Sequence, residues 1–279
     1  AMPSYAGPYP ASAGSTLLGV RGRVAAGQLE RAEEALARGE RERAWAALQE
    51  ALAFRPDGEN PVATAQVVLA AWQRAGGGAA AALGSLAGLE WYQAYLLRGD
   101  ILRAEGDLAG AQREFGAREV NERDALPWAW SHLQPPAVPA VDVGGGLDLG
   151  MVDGFYAPER AGEETYRWSG ATARLRFPAA GTGEPQELRL RLRGWRPAGE
   201  APAVVCVVVQ GRELGRFILE AGWQMVVVEM PPSAAGEEVV VTLETNAFMA
   251  GPVDQLQTGR LRLLGCMVDW AQVVPIPQR

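Results

Sequence analysis

The segment GFYAPERAGEETYRW, Gly154 to Trp168, sets a carboxylate, Glu159, and a guanidinium, Arg167, among the rings of Tyr156 and Trp168. An arginine and a carboxylate offer rigid, multidentate hydrogen bonding to hydroxyl groups, and an aromatic ring covers the apolar face of a sugar. The same residues also read as an ion pair, Glu159 with Arg167, that pins an irregular loop. Trp195 and Trp223 lie beside turn residues at strand ends, where a ring stays within reach of a ligand, and they complete the candidate binding set. Trp270, inside MVDWAQVV, reads as core. Asp148 and Asp153, with Asp254 and Asp269, are the acids that could brace a structural calcium ion, although the dense Asp/Asn loop of such sites is missing. No other cofactor is expected.

Catalysis finds little to work with. His132 is the single histidine and lies upstream of the strands, so Ser–His or Cys–His nucleophilic machinery lacks a base among them. Paired carboxylates for glycoside hydrolysis are defined by their separation in the fold, and no motif points to them. GGGLDLG, Gly144 to Gly150, precedes no helix and so is not a phosphate cradle; it reads as a flexible approach to a strand. The chain is expected to bind a ligand and not to act as an enzyme.

Composition narrows the partners. The 279 residues carry a formal charge of -7 and are 48% apolar, which suits two folded domains and gives no basic footprint for nucleic acid. Every basic side chain is arginine. No uninterrupted apolar run approaches the roughly 18 to 20 residues of a membrane span, and no signal sequence opens the chain. The opening Ala1-Met2 reads as a cloning scar ahead of an interior segment of something larger. Cys206 and Cys266 sit in apolar strand-like runs and read as buried thiols, with a disulfide conceivable only if those strands adjoin.

Leucine and arginine alternate through QELRLRLRGW, Gln186 to Trp195, and the pattern returns in TARLRF, from Thr172, and GRLRLL, from Gly259. Successive strand side chains face opposite ways, so the leucines face a core and the arginines face outward. Like charges directly opposed on neighbouring strands destabilise, so each arginine needs a carboxylate neighbour or an anionic ligand. One reading is a solvated face of crossed Arg and Glu side chains that blunts edge pairing. The other is a face that docks the helical part or meets anionic lipid or glycan.

Two different periods divide the elements. Residues 1–16 are rich in Pro, Gly, Ala and Ser and read as a flexible tether, with Ser15 or Thr16 capping the first helix. From 17 to 133 apolar residues recur three and four apart. GERERAWAALQEALAFRP, from Gly39, superimposes on GDLAGAQREFGAREV, from Gly106, at an offset of 67, placing Gly39 on Gly106, Ala44 on Ala111 and Leu48 on Phe115. The copy between them, AAWQRAGGGAAAALGSL, is degenerate. This offset, with Ala44, Leu48, Ala51 and Pro56 in the first copy and Tyr95 and Gly99 in the last, resembles the tetratricopeptide repeat. The resemblance implies a short array of helical hairpins that binds a protein or packs a domain. Residues 134–140, in HLQPPAVPAV, read as a Pro-rich hinge. From 141 to 279 the period is two, with eight or more strands and no convincing helix, which suits an antiparallel β-sandwich of the jelly-roll kind.

The sandwich opens with LDLGMVDGFYAPERAGEETYRWSG and closes with GRLRLLGCMVDWAQVV, carrying Asp148, Gly154, Phe155, Tyr156, Pro158, Glu159, Arg167, Trp168, Leu264 and Gly265 at characteristic spacings. This resembles the C-terminal β-sandwich module of certain bacterial membrane glycosyltransferases, which is similar to galactose-binding-like jelly rolls and carbohydrate-binding modules. Arg262 falls one residue out of register with that pattern. The resemblance implies a non-catalytic, extracytoplasmic cell-envelope region that binds glycan or glycolipid through the jelly roll and a protein partner through the repeats. Such a region would reach the membrane through sequence upstream. The rival reading is an envelope scaffold that binds no sugar and uses Trp45, Trp72 and Trp91 for protein contacts.

Overall fold

The computed structural model describes residues 11–54, 61–251 and 261–276. The first ten residues, Pro56 and Asp254 lie outside the described residues. The chain divides into two compact units, Ala1–Ile101 and Leu102–Arg279. Among the described residues no helix is long and apolar enough to cross a membrane.

The first unit is helical, with α1 (Ala11–Ala37), α2 (Arg41–Phe54), α3 (Pro61–Ala75), α4 (Ala79–Leu86) and most of α5 (Tyr92–Ala104). Helix α1 starts upstream of Ser15 and Thr16, which therefore lie inside it and not at its cap. Its alanines and leucines make propagation of the helix cheap. Leu29 and Ala32 of α1 pack with Leu48 and Ala51 of α2 and with Ala65 and Val68 of α3, small residues letting the helices close up. Asp100 is wholly buried and paired with Arg74.

One turn recurs between helices. Gly39, Gly77 and Gly106 all have positive φ, at 72°, 84° and 85°, a region that glycine enters without the penalty a Cβ brings. In each, the glycine N–H and the next N–H close onto the preceding helix: Gly39 to Leu36 and Glu40 to Ala35, Gly77 to Arg74 and Gly78 to Gln73, Gly106 to Arg103 and Asp107 to Leu102. After each turn a fully buried alanine follows, Ala44, Ala82 and Ala111, and then a buried large side chain, Leu48, Leu86 and Phe115. The middle copy, degenerate in sequence, keeps the turn and both packing positions.

The second unit carries α6 (Leu108–Phe115), capped by Asp107 accepting from Gly110 N at 2.8 Å, and α7 (Glu122–His132), capped by Asn121. Beyond them come the strands β1 (Ala140–Asp142), β2 (Val152–Ala161), β3 (Glu164–Phe177), β4 (Gln186–Arg193), β5 (Ala203–Val209), β6 (Arg212–Leu219), β7 (Trp223–Met230), β8 (Val239–Thr245), β9 (Phe248–Met249), β10 (Leu263–Leu264) and β11 (Met267–Pro275). They form an antiparallel β-sandwich of the jelly-roll kind, with hydrogen-bonded order β6-β5-β8-β3-β11-β4-β7, β2 flanking β3 and β1 flanking β11. Strand β3 serves both layers. Arg167 and Trp168 pair with β11, and Thr172 to Phe177 pair with β8. Inward residues such as Leu175, Leu188, Leu190, Leu192, Val205 and Leu243 are fully buried.

The compact division falls at Ile101, upstream of the expected Pro-rich boundary near residue 138, because α6 and α7 are tied to the strands. Trp130 of α7 lies between two arginines of β3, with Arg174 at 4.8 Å and Arg176 at 4.9 Å from its ring. The Gly144–Gly150 loop, expected to be flexible, is held from several sides. Arg103 Nη1 donates to Leu147 O at 2.7 Å and Leu149 O at 2.9 Å, Gln112 Nε2 to Gly145 O at 3.1 Å, and Arg176 to Gly150 O and Leu133 O. Burial lowers the Arg103 pKa to about 10, so the guanidinium remains a cation at neutral pH.

Candidate functional site

One end of the sandwich is aromatic. Tyr166 and Trp168 of β3 and Phe248 of β9 are buried together with Leu264 and Met267, and Tyr156 and Trp223 pack against them. Trp195 stands edge-on to Trp168 with ring centroids 6.4 Å apart and tilts onto Phe248 at 6.1 Å, yet stays 40% exposed. Trp223 meets Tyr166 edge-on at 5.8 Å. Burying rings together fixes their orientation, and a ring left at the margin of such a cluster becomes a rigid, partly open platform.

The backbone explains how Tyr156 reaches that margin. Between Phe155, opposite Ser169, and Pro158, opposite Arg167, β2 carries one residue more than β3, a bulge that re-aims the side chains it contains. The Tyr156 carbonyl receives Arg167 Nη1 at 3.0 Å, and the Tyr156 hydroxyl both donates to Leu263 O and accepts from Leu263 N at 3.1 Å. Arg262 covers the ring at 5.4 Å. Gly154, at φ 75°, runs so close to Thr172 O that no Cβ would fit.

Beside Tyr156 a cleft of about 710 Å³ opens between α7 and β2. Its apolar lining comes from Leu126, Pro127, Phe155 and Leu261, and its polar lining from Asn121, Arg123, Asp153 and Arg262. Asp153 is the one acid among these lining residues, and it is bound to Arg174. The facing pair of carboxylates that glycoside hydrolysis needs is therefore not assembled by the described lining.

The structure separates the residues singled out in sequence. Tyr156, Glu159, Trp195 and Trp223 stand at or near the surface of the aromatic end. Arg167 and Trp168 are withdrawn from solvent, at 1% and 4% exposure. The expected Glu159–Arg167 pair is replaced by two others. Arg167 holds buried Asp148, Nε to Oδ2 at 2.6 Å and Nη2 to Oδ1 at 2.9 Å. Glu159 instead accepts from Arg262 Nη1 at 2.8 Å and from the Tyr166 hydroxyl at 3.3 Å. Burial, followed by the Glu159 charge, raises the Tyr166 pKa and keeps its proton in place. Arg262, out of register in the sequence pattern, thus closes the site.

The two acids proposed for calcium are engaged with arginine, Asp148 with Arg167 and Asp153 with Arg174. Among the described residues no three His, Cys, Asp or Glu side chains converge as a metal site. Cys206 and Cys266 are buried free thiols. Trp270, expected in the core, is half-buried. It alternates with inward Ala271 and Val273 and so faces outward, beside Arg191 in the β4–β11 register.

The outward arginines have specific partners. Arg189 bonds Glu187 at 2.9 Å, and Arg191 bonds both Glu164 and Asp269. The Arg191 hydrogen bond holds Glu164 below the usual carboxylate range. Arg191 also covers the Trp223 ring at 5.0 Å. Arg174 and Arg176 clasp Trp130, so part of the stripe docks α7, while Arg189 and Arg191 form a crossed Arg/Glu face.

The chain matches no protein-family profile and no curated protein. Over the sandwich it is similar to a family 35 carbohydrate binding module from Clostridium thermocellum, at 10% identity and TM-score 0.31, covering 50% of this chain and 100% of that one. The C-terminal CBM6 of the marine laminarinase LamC from Zobellia galactanivorans gives 11% identity and TM-score 0.28, with 44% and 90% covered. The ANX2 ectodomain from Arabidopsis thaliana gives 12% identity and TM-score 0.34, with 50% and 49% covered. Likenesses at this level carry no argument about a ligand.

Proposed function

We propose that the chain is a non-catalytic recognition region whose sandwich binds a glycan at its aromatic end. The observation that carries this reading is the placing of three rings, Tyr156, Trp195 and Trp223, at the open margin of an otherwise buried aromatic cluster. Each is braced from behind by another ring or a guanidinium. Rings so held present apolar faces at little ordering cost on binding, and the neighbouring Glu159 and Arg262 offer hydrogen bonds to hydroxyl groups. In the wider setting that the sequence resemblance implies, the chain is an extracytoplasmic part of a membrane glycosyltransferase or envelope protein, holding an acceptor or product glycan close to catalytic machinery elsewhere.

Calorimetry of the whole chain against a panel of oligosaccharides tests the proposal. Saturable binding at millimolar sugar or below, weakened by Trp195→Ala and Trp223→Ala, supports it. Absence of heat with every saccharide removes it.

A second reading is favoured by one observation in the first unit. Trp45, 42% exposed on α2, stacks on Trp72 of α3 with centroids 5.5 Å apart. An exposed indole backed by a half-buried one on a helical array suits a protein contact, in line with the scaffold role. Pull-down with wild type and Trp45→Ala, followed by identification of partners lost from the variant, tests it.

A further inference from the structure

Five arginines surround the aromatic end, and their partners differ in kind. Arg167, Arg191 and Arg262 are each matched by carboxylate, from Asp148, from Glu164 and Asp269, and from Glu159. Among the described residues Arg193 and Arg196 have no carboxylate in ion-pair contact; Glu164 and Glu200 act on them only through space. Arg193 Nε donates to Ala221 O at 2.6 Å, and among the described residues its two terminal nitrogens have no partner. Arg196 bonds only oxygens of neutral groups, Gly265 O at 2.6 Å, Trp195 O and Asn246 O at 3.0 Å, and Asn246 Oδ1 at 3.5 Å, and its guanidinium lies over Phe248 at 4.7 Å. These two cations bracket Trp195 in the sequence Arg193-Gly194-Trp195-Arg196, and Arg193 stands directly opposite Trp223 in the β4–β7 register.

A chain of formal charge -7 thus leaves, among the described residues, two half-buried guanidiniums with no carboxylate in contact beside the indoles of Trp195 and Trp223. A guanidinium's planar fork matches carboxylate or phosphate oxygens two at a time and meets their charge, which a neutral hydroxyl group lacks. Resting on the glycan reading above, we propose that the saccharide recognised at Trp195 and Trp223 bears an anionic group, which the terminal nitrogens of Arg193 take up. The sugar ring lies on the indoles, and the anion at its edge meets the fork. Arg196, engaged with backbone, contributes charge and fixes the loop that carries Trp195.

The test is titration of the full chain with trigalacturonic acid, with its fully methyl-esterified form, and with phosphatidylglycerol vesicles. The free acid is expected to bind at least about tenfold more tightly than the ester, as one charge-assisted hydrogen-bond pair implies. That preference should shrink with added salt. Arg193→Gln should abolish the preference while leaving the weaker ester binding intact, and Arg193→Lys, which keeps the charge and loses the fork, should restore part of it. Near-ultraviolet circular dichroism of both variants confirms folding. Equal affinity for acid and ester, or a preference untouched by Arg193→Gln, overturns the anion assignment and leaves the glycan reading standing. Silence with every sugar overturns both. Vesicle binding with no oligosaccharide binding replaces the saccharide by a lipid headgroup and overturns the proposal.

Discussion

Arg167 and Asp148 face each other through two hydrogen bonds, of 2.6 and 2.9 Å, with both side chains essentially out of water. The pair joins β3 to the loop preceding β2, and Asp148 Oδ2 also accepts from Gly144 N at 2.8 Å. Removing one member leaves a buried charge alone, which costs about 3–5 kcal/mol. Arg167→Met should therefore lower stability by that order in denaturant melts, and the double variant with Asp148→Leu should recover part of the loss. A single variant as stable as wild type would show that the pair does not bind the loop.

Trp168 and Trp195 touch edge-on but should respond oppositely to truncation. Trp168→Ala opens a cavity in the aromatic cluster and should cost about 3–5 kcal/mol. Trp195→Ala, at the open margin, should cost less than about 1 kcal/mol while weakening sugar binding. Melts and titrations on the same two variants separate stability from recognition.

Asp142 supplies a pH dependence. Partial desolvation of a side chain that is still exposed, then the charges of Asp269 and Asp148, raise its carboxyl above the usual 3.8. An acid whose folded pKa is raised favours the fold below its unfolded value and opposes it as pH climbs through the folded one. Asp142→Asn should therefore leave stability unchanged near pH 3 and raise the melting temperature at pH 7. Equal shifts at both pH values would place the effect elsewhere.

Cys266 is fully enclosed, and burial raises its thiol pKa to about 11. A thiol reagent at pH 8 should leave it unmodified in the native protein and label it promptly in denaturant. The thiolate is the reactive form and is scarce at that pH.

The strands should depend on the helices beside them. A fragment beginning at Leu102 retains Arg103, Gln112 and Trp130 and should melt as one cooperative transition. A fragment beginning at Val141 loses all three clasps and should melt lower.

How much of this could be read from residues alone depended on the range of the signal. Period-two alternation placed the leucines of β4 inward and its arginines outward, because the pleat ties direction to position. The offset between Gly39 and Gly106 marked a real recurrence of turn geometry. The middle copy escaped because its turn, at Gly77, is fixed by backbone conformation and needs only Ala82 and Leu86 behind it. The sandwich motif was informative in an unexpected way. Asp148, Gly154, Arg167, Trp168 and Gly265 prove to be builders of the fold: two form the buried pair, and a Cβ on Gly265 would collide with Ser169 and Thr245. Partner choice was not legible. Glu159 pairs with Arg262, far along the chain, a relation set by the apposition of β2 and β10 and invisible to local spacing. Trp270 was misplaced for a simpler reason, since an apolar neighbourhood cannot say which side of a strand a ring takes.

The sharing of β3 by both layers has a mechanical meaning. A sandwich of two separate sheets can shear along the plane between them, but here a single covalent strand is stitched through that plane. Ser169 and Gly170, between the two ladders, are held by Cys266, Gly265 and the Thr245 hydroxyl. Force applied to the aromatic end is therefore carried along one backbone into the far sheet. Amide protons near Trp168 and near Leu175 should exchange with deuterium at matching rates, as parts of one rigid beam.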